Sequence, residues 1–221
     1  MFIPENERII TIEDAAELNL HREHVVRLET RMENIEGRGQ VDARSLVKNA
    51  LRMRPDRIIV GECRGAESFD MLQAMNTGHE GSMTTVHANS ATDAFSRMEN
   101  MLAMTGLEIP ISALREYLTS AVQIVVQMAR IPGGRRVISG ISEVEGVFDG
   151  TVKMNEIFRF HLTGIDDDGF AHGEFQATGF VPHCLKSLQQ RGSSLDISHF
   201  KAGSLGKVSG PSGIEMDEAS Q

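Results

Sequence analysis

The feature that most constrains the fold is a short, wholly apolar run, Ile58–Val60, which ends two residues before Glu62. Three consecutive β-branched residues with no polar residue among them are typical of a strand buried in a parallel sheet. Pro55 precedes this run, and a helical pattern of apolar residues follows it over Ala66–Met75. The sequence therefore predicts a central strand with an acid at its carboxyl end, where parallel sheets bind their ligands.

Strands and helices alternate along the first 130 residues, which predicts an α/β fold with a mostly parallel sheet. Beyond Pro132 two longer β-patterns flank Asp149-Gly150, a hairpin signal, and a short helix is predicted over Pro182–Arg191. We divide the chain into a core (1–130), a β-rich and helical appendage of the same domain (131–191), and a tail (192–221). The tail is rich in Gly and Ser, so we expect it to be disordered.

Charge and hydropathy exclude several classes of protein. The net charge of −9 argues against nucleic-acid binding by the chain as a whole. No apolar run approaches the roughly 20 residues of a membrane-spanning helix, and the N-terminus shows no signal-peptide pattern. We therefore expect a cytoplasmic protein without a membrane span of its own. Cys63 and Cys184 show no metal-binding spacing and are expected to be free thiols.

Carboxylates follow two of the predicted strands. Glu13 and Asp14 close the strand predicted over residues 8–12. They could activate water or hold Mg²⁺, or they could be the acids that a helix N-terminus favours. Glu62 would be costly to bury alone, so it either forms a structural ion pair with Arg64 or serves Mg²⁺ and catalytic water. The residues by themselves leave both questions open.

Further polar groups suit an anion. His79 and His87 bracket a segment rich in Gly and hydroxyl residues that includes Thr85, and backbone N–H groups and hydroxyls in such loops bind phosphate. The alternative is that both histidines only hydrogen-bond within their loops. Arginine side chains match phosphate geometry, although each one taken singly is equally a solvated surface residue. The nearby arginines are Arg27, Arg31, Arg52, Arg54 and Arg64.

Taken together, three segments resemble motifs of the type II/IV secretion ATPase superfamily. RIITIEDAAEL at 8–18 resembles its aspartate box, LRMRPDRIIVGECRGAE at 51–67 its Walker B segment, and TGHEGSMTTVHANS at 77–90 its histidine box. The sequences of these motifs are most similar to those of the CpaF-like branch, the Tad/Flp pilus-assembly ATPases. The resemblance spans about residues 2–190. It implies a RecA-like P-loop NTPase core, a hexamer, partners in an inner-membrane secretion or pilus platform, and ATP hydrolysis that drives pilin or protein secretion.

The resemblance also implies a role for each matching residue. Glu13 would be the general base for the attacking water, and Glu62 the Walker B acid that acts through Mg²⁺, with Asp14 beside it on the metal. Such sites work mainly by positioning and charge stabilisation. Arg27 and Arg31 would neutralise phosphate charge, in part across a subunit boundary. The full set of implied ATP-contacting residues is Arg27, Arg31, Arg64, His79, Thr85 and His87.

One family motif has no counterpart in this sequence. The Gly-rich Walker A loop, GxxxxGK(S/T), occurs nowhere in it. Without the lysine and the N–H groups of that loop, we expect weak ATP binding and negligible hydrolysis by this chain alone. We interpret the chain as an N-terminally truncated, C-terminal part of a motor. The alternative is a non-catalytic subunit or an inert remnant that assembles with complete paralogues.

Overall fold

The computed structural model describes residues 3–209 and 213–216, and the chain divides into two units, Met1–Val122 and Gln123–Gln221. Unit 1 contains a parallel sheet with helices, which confirms the α/β prediction, and unit 2 contains an antiparallel sheet. No helix in the described part of the chain is long and apolar enough to cross a bilayer.

Unit 1 is built on four parallel strands in the order β2-β1-β3-β4. Its strands are β1 (Ile9–Glu13), β2 (Val25–Glu29), β3 (Arg57–Val60) and β4 (Met83–Thr84). Its helices are α1 (Ala43–Ala50), α2 (Glu67–Asn76), α3 (Ala91–Ala103) and α4 (Ile111–Ala121), and a 3₁₀ turn, Leu51–Met53, extends α1.

The continuous apolar runs form the centre of this sheet. All five residues of β1 and the last three of β3 are buried, which agrees with the prediction of a strand without alternation. In the register, Ile12 lies opposite Val60, and Val60 lies opposite Thr84. The carboxyl ends of β1, β3 and β4 are therefore level along one edge of the sheet.

Polar contacts fix the helices around the sheet. The Ser90 hydroxyl accepts a hydrogen bond from the Asp93 backbone N–H at 3.0 Å, so Ser90 caps the N-terminus of α3. The Arg44 guanidinium on α1 contacts the buried Asp70 carboxylate on α2 at 2.7 Å. A second ion pair of 2.8 Å, Arg115 with Glu99, joins α4 to α3.

Unit 2 is a six-stranded antiparallel sheet in the order β10-β9-β8-β7-β6-β5. The predicted hairpin turn forms between β6 and β7, where Asp149 and Gly150 both take left-handed backbone angles, with φ of 49° and 72°. Its strands are β5 (Ile124–Arg130), β6 (Arg136–Phe148), β7 (Thr151–Ile165), β8 (Ala171–Ala177), β9 (Gly203–Ser209) and β10 (Gly213–Met216). Its helices are α5 (Leu185–Gln190) and a 3₁₀ turn, Ile197–Phe200.

The structure differs from the sequence-based expectations in two places. The sequence predicts β5 as part of the parallel core, but β5 pairs antiparallel with β6, because a strand pattern does not specify its partner. The composition predicts disorder from residue 192, but β9 extends the sheet and Phe200 is buried against Phe158, with ring centroids 5.6 Å apart. Residues 210–212 and 217–221 of that tail lie outside the described residues.

A buried carboxylate stabilises the start of α5. Glu143 on β6 is 5% exposed and accepts the backbone N–H groups of His183 and Cys184 at 2.8 Å each. It also lies 2.9 Å from Nδ1 of His183. Burial acts to raise the pKa of Glu143, but the hydrogen bonds from both residues outweigh it, so the pKa lies below its ordinary value.

Candidate active site at the strand ends

Most of the polar residues predicted for the site lie at or just beyond the ends of β1, β3 and β4, which are level with one another. The Gly61 N–H, just beyond β3, donates to the Ile12 carbonyl of β1 at 2.8 Å. The Cys63 N–H donates to the Thr85 carbonyl, just beyond β4, at 3.0 Å. The Thr85 hydroxyl donates to the Gly61 carbonyl at 2.6 Å. These bonds hold together the three segments that carry the candidate residues.

Glu13 is the last residue of β1 and is 8% exposed. Its Oε1 accepts the backbone N–H groups of Glu17 and Leu18 at 3.1 Å each, so the carboxylate is held by the segment that follows its own strand. A Cβ at Gly61 would lie 3.1 Å from the Glu13 Cγ, tighter than most Cβ contacts. The absence of a side chain at Gly61 therefore leaves the space in which Glu13 packs against the end of β3.

Glu62 lies in the centre of a charged cluster. Its Oε2 is 2.5 Å from Nη2 of Arg64, and its Oε1 is 3.3 Å from Nε2 of His87. The Glu62 side chain is 16% exposed, against 64% for Arg64 and 79% for His87. The Arg64 hydrogen bond, helped by the charges of His87 and Arg97, holds the pKa of Glu62 below its ordinary value. The ion pair with Arg64 is thus formed in this structure.

Arg64 also connects Glu62 to the end of β1. Its Nη1 lies 3.6 Å from the Asp14 carboxylate, which in turn accepts the Thr30 hydroxyl at 2.9 Å. The cluster lies on a cleft of about 230 Å³, which Arg31 also lines. Arg31 is oriented there by its Nε, which donates to the Gly39 carbonyl at 2.5 Å.

The structure brings together most, but not all, of the residues predicted from the sequence. Two of them lie apart from the cluster. Arg27 donates from Nη2 to the Leu20 carbonyl at 2.8 Å, and His79 lies with Nδ1 3.2 Å from the Ala74 carbonyl at the end of α2. The residues that lie at the strand ends or on the cleft are Glu13, Asp14, Arg31, Glu62, Arg64, Thr85 and His87.

The site also includes residues that the sequence did not suggest. A second cleft of about 500 Å³ adjoins His87 and is lined by polar residues of α3, Arg97 among them. The periodicity of α3 could have indicated this face, but Arg97 is 35 positions from Glu62 in the sequence, and only the fold shows that its charge reaches that carboxylate.

The carboxylates fit a metal ion only in combination with phosphate oxygens. Among the described residues, no three His, Cys, Asp or Glu side chains are grouped to hold a metal ion. Mg²⁺ in nucleotide sites uses one or two carboxylates, several waters and the phosphates of the substrate. Asp14 and Glu62, which both contact Arg64, match that smaller donor set. The arginines and His87 supply the donors that phosphate oxygens need.

This parallel sheet, with acidic and basic side chains at its strand ends, has the RecA-like α/β fold. The VirB11 ATPase from the type IV secretion system of Brucella suis, solved in complex with sulphate, superposes with a TM-score of 0.56 and 34% identity. The match covers 64% of this chain and 41% of that one.

The sequence comparison identifies the family. The family described as Type II/IV secretion system protein matches residues 1–149, and the chain belongs to it. A Mycobacterium tuberculosis protein named for conjugal transfer is 45% identical over 166 residues, 75% of this chain and 46% of the relative. Conjugal transfer protein TrbB of Rhizobium radiobacter is 37% identical over 163 residues, 74% and 45% of the two chains. This chain therefore spans less than half the length of these relatives.

Proposed function

We propose that this chain carries the catalytic acids and part of the phosphate-binding surface of an ATP-hydrolysing secretion motor. One observation carries the proposal: Glu13 and Glu62 lie at the ends of adjacent strands, with Arg64 and His87 on the Glu62 carboxylate. Carboxylates beside cationic groups at the strand ends of a parallel sheet are suited to phosphoryl transfer, because that reaction needs positioning and charge stabilisation.

Each carboxylate has a distinct part in this proposal. Glu13 accepts the proton of the attacking water, since its buried carboxylate is held at the end of β1 by two backbone N–H groups. Glu62 and Asp14 face the metal side, where a bound Mg²⁺ would neutralise phosphate charge and orient water. Arg64, Arg31 and His87 bind the phosphate oxygens.

The motor is of the CpaF-like, Tad/Flp pilus-assembly type, and moves pilin or protein across the inner membrane as part of a hexamer. The segments EDAAEL, MLQAMNTGHEGS and TTVHANS support that branch. The hexamer contacts a pilus or secretion platform, which positions the protein at the membrane. Arg27, which lies apart from the cluster within this chain, would reach the nucleotide of an adjacent subunit.

The chain by itself is inactive in this proposal, because no GxxxxGK(S/T) loop is present in the sequence to bind the β- and γ-phosphates. A second polypeptide or segment must supply that loop. The same observation favours a second candidate function, in which the chain is a non-catalytic subunit that assembles with complete paralogues.

A reconstitution experiment separates these functions. Phosphate release is measured for the chain alone and after addition of a polypeptide that carries the Walker A loop. We expect activity only in the mixture, and loss of it with Glu13→Gln or Glu62→Gln but not with Glu145→Gln, an exposed residue of unit 2. Hydrolysis that is unchanged by both site variants would support the non-catalytic subunit, and full hydrolysis by the chain alone would contradict the need for a second polypeptide.

A further inference from the structure

Arg57, the first residue of β3, lies at the end of the sheet opposite to the candidate site. Its guanidinium forms a two-armed ion pair with Glu7, shortly before β1, in which Nε and Nη2 donate to the two carboxylate oxygens at 2.9 and 3.2 Å. The third nitrogen, Nη1, donates to the Gly81 carbonyl, shortly before β4, at 2.9 Å. One planar group therefore connects the amino ends of three strands, β1, β3 and β4.

The ion pair is well shielded from water. The side chains of Arg57 and Glu7 are 18% and 24% exposed, so solvent screens their attraction less than it screens a fully exposed pair. A two-armed contact between guanidinium and carboxylate also fixes the orientation of the planar guanidinium group. Glu7 therefore holds Arg57 in the one orientation that presents Nη1 to the Gly81 carbonyl.

Gly81 is suited to this contact in two ways. Its backbone is left-handed, with φ of 78°, a conformation that favours glycine. A Cβ at this position would also collide with the Nη1 atom of Arg57. The chain can therefore approach the guanidinium this closely only because residue 81 has no side chain.

β4 depends on contacts at its two ends. It consists of only Met83–Thr84, at the edge of the described sheet, so it has few ladder hydrogen bonds of its own. Just before it, the Ser82 hydroxyl accepts the Ile58 N–H at 3.0 Å, beside the Arg57 contact with residue 81. Just beyond it lie Thr85 and His87, two residues of the candidate site. A shift at the amino end of so short a strand is therefore carried through to the site.

We propose that Arg57 is a positioning residue for the candidate site, although it touches none of the site's side chains. It fixes the amino end of β4 against β1 and β3, and so fixes where Thr85 and His87 lie at the other end of the strand. The inference rests on the proposed function only for its effect on hydrolysis. The effect on the position of β4 can be measured without any nucleotide.

Amide hydrogen exchange of the full chain, measured at single residues by NMR, tests this role. The Cys63 N–H reports the position of β4, because it donates to the Thr85 carbonyl at 3.0 Å. The Thr30 N–H, which donates to the Glu13 carbonyl at 2.9 Å, is a reference on the far side of the same sheet. The measured quantity is the ratio of the exchange rate at Cys63 to that at Thr30.

We expect Arg57→Gln to raise this ratio about tenfold, the effect of losing a hydrogen bond from a charged group, and to lower reconstituted hydrolysis about tenfold. Glu7→Gln keeps the arginine but weakens its anchor, so a rise of about threefold is expected; this variant decides the question if Arg57→Gln does not fold. Arg44→Gln is the matched control, because it removes an arginine that pairs with the Asp70 carboxylate at 2.7 Å, but lies on α1. It should change the ratio less than about twofold.

Two results would overturn the inference. One is faster exchange at both reporter amides to the same extent, which an ion pair that only stabilises the unit would produce. The other is an active reconstituted mixture in which Arg57→Gln hydrolyses ATP at the wild-type rate. If the exchange ratio rises while the wild-type mixture hydrolyses no ATP, the control of β4 by Arg57 stands and the proposed function fails.

Discussion

Replacement of Glu143 by Gln tests how unit 2 holds the start of α5. The carboxylate is buried and accepts two backbone N–H groups at 2.8 Å, those of His183 and Cys184. A hydrogen bond to a charged group contributes about 1.5–3 kcal/mol, and Gln keeps only one acceptor oxygen. The NH₂ group of Gln would face at least one of the two backbone N–H donors, and two donors cannot form a hydrogen bond with each other. We therefore expect Glu143→Gln to lower the free energy of unfolding by about 2–4 kcal/mol at neutral pH.

The pH dependence follows from the lowered pKa of Glu143. A carboxyl group with a lowered pKa in the folded state contributes stability that is fully present above its unfolded pKa. The contribution is lost as the pH falls through the lower pKa of the folded state. We therefore expect the stability difference between wild type and Glu143→Gln to be largest at neutral pH and to narrow below pH 4.5, the ordinary value for this group.

Urea unfolding followed by circular dichroism measures this difference, and amide exchange at His183 and Cys184 localises it to unit 2. Glu145→Gln is the matched control, because Glu145 lies on the same strand but is exposed and paired with Lys153 at 2.9 Å. We expect that variant to remain close to wild type. Equal stability of the two variants at neutral pH would refute the assignment of a stabilising role to the buried carboxylate.

Three further predictions concern single side chains. Asp70→Ala removes the partner of the Arg44 guanidinium and should lower the stability of unit 1 by about 1–3 kcal/mol, measured by urea unfolding; no change would show that the pair contributes nothing. Burial, with the nearby Glu143 carboxylate, raises the pKa of Cys184 to about 11, so its alkylation by iodoacetamide at pH 8 should be much slower than that of glutathione; an equal rate would contradict the raised pKa. Gly61→Ala should displace Glu13 and lower reconstituted hydrolysis without unfolding the chain; full activity would show that the close packing is not required.

The apolar runs made much of the fold predictable. β1 and β3 are buried without alternation, and the sequence shows this directly as consecutive Ile and Val residues. The prediction for β5 is wrong because its residues resemble those of a core strand. Its antiparallel pairing with β6 is a tertiary contact that the strand pattern does not specify. The prediction of disorder is wrong for residues 197–209, which form regular structure. Two buried apolar residues, Phe200 and Val208, anchor this segment, although its composition is otherwise typical of disorder.

The candidate site was predictable where residues follow strands and unpredictable where they lie on loops and helices. Asp14 directly follows β1 and Glu62 lies two residues after the paired strand β3, so their proximity follows from the rule on strand ends. His79 lies against the end of α2, a position set by the turn after that helix rather than by the sheet. Arg97 reaches the site from α3, and its position depends on helix packing that local sequence does not specify.

The backbone hydrogen bonds to Glu13 provide a spectroscopic probe of the general-base role proposed for this residue. The carboxylate is bonded to the N–H groups of Glu17 and Leu18, and it cannot turn fully towards a water molecule without weakening them. The nitrogen and proton chemical shifts of those two amides therefore report where the carboxylate points. Following these shifts during nucleotide addition would show whether the carboxylate moves, as the proposed general-base role requires, without any label in the site.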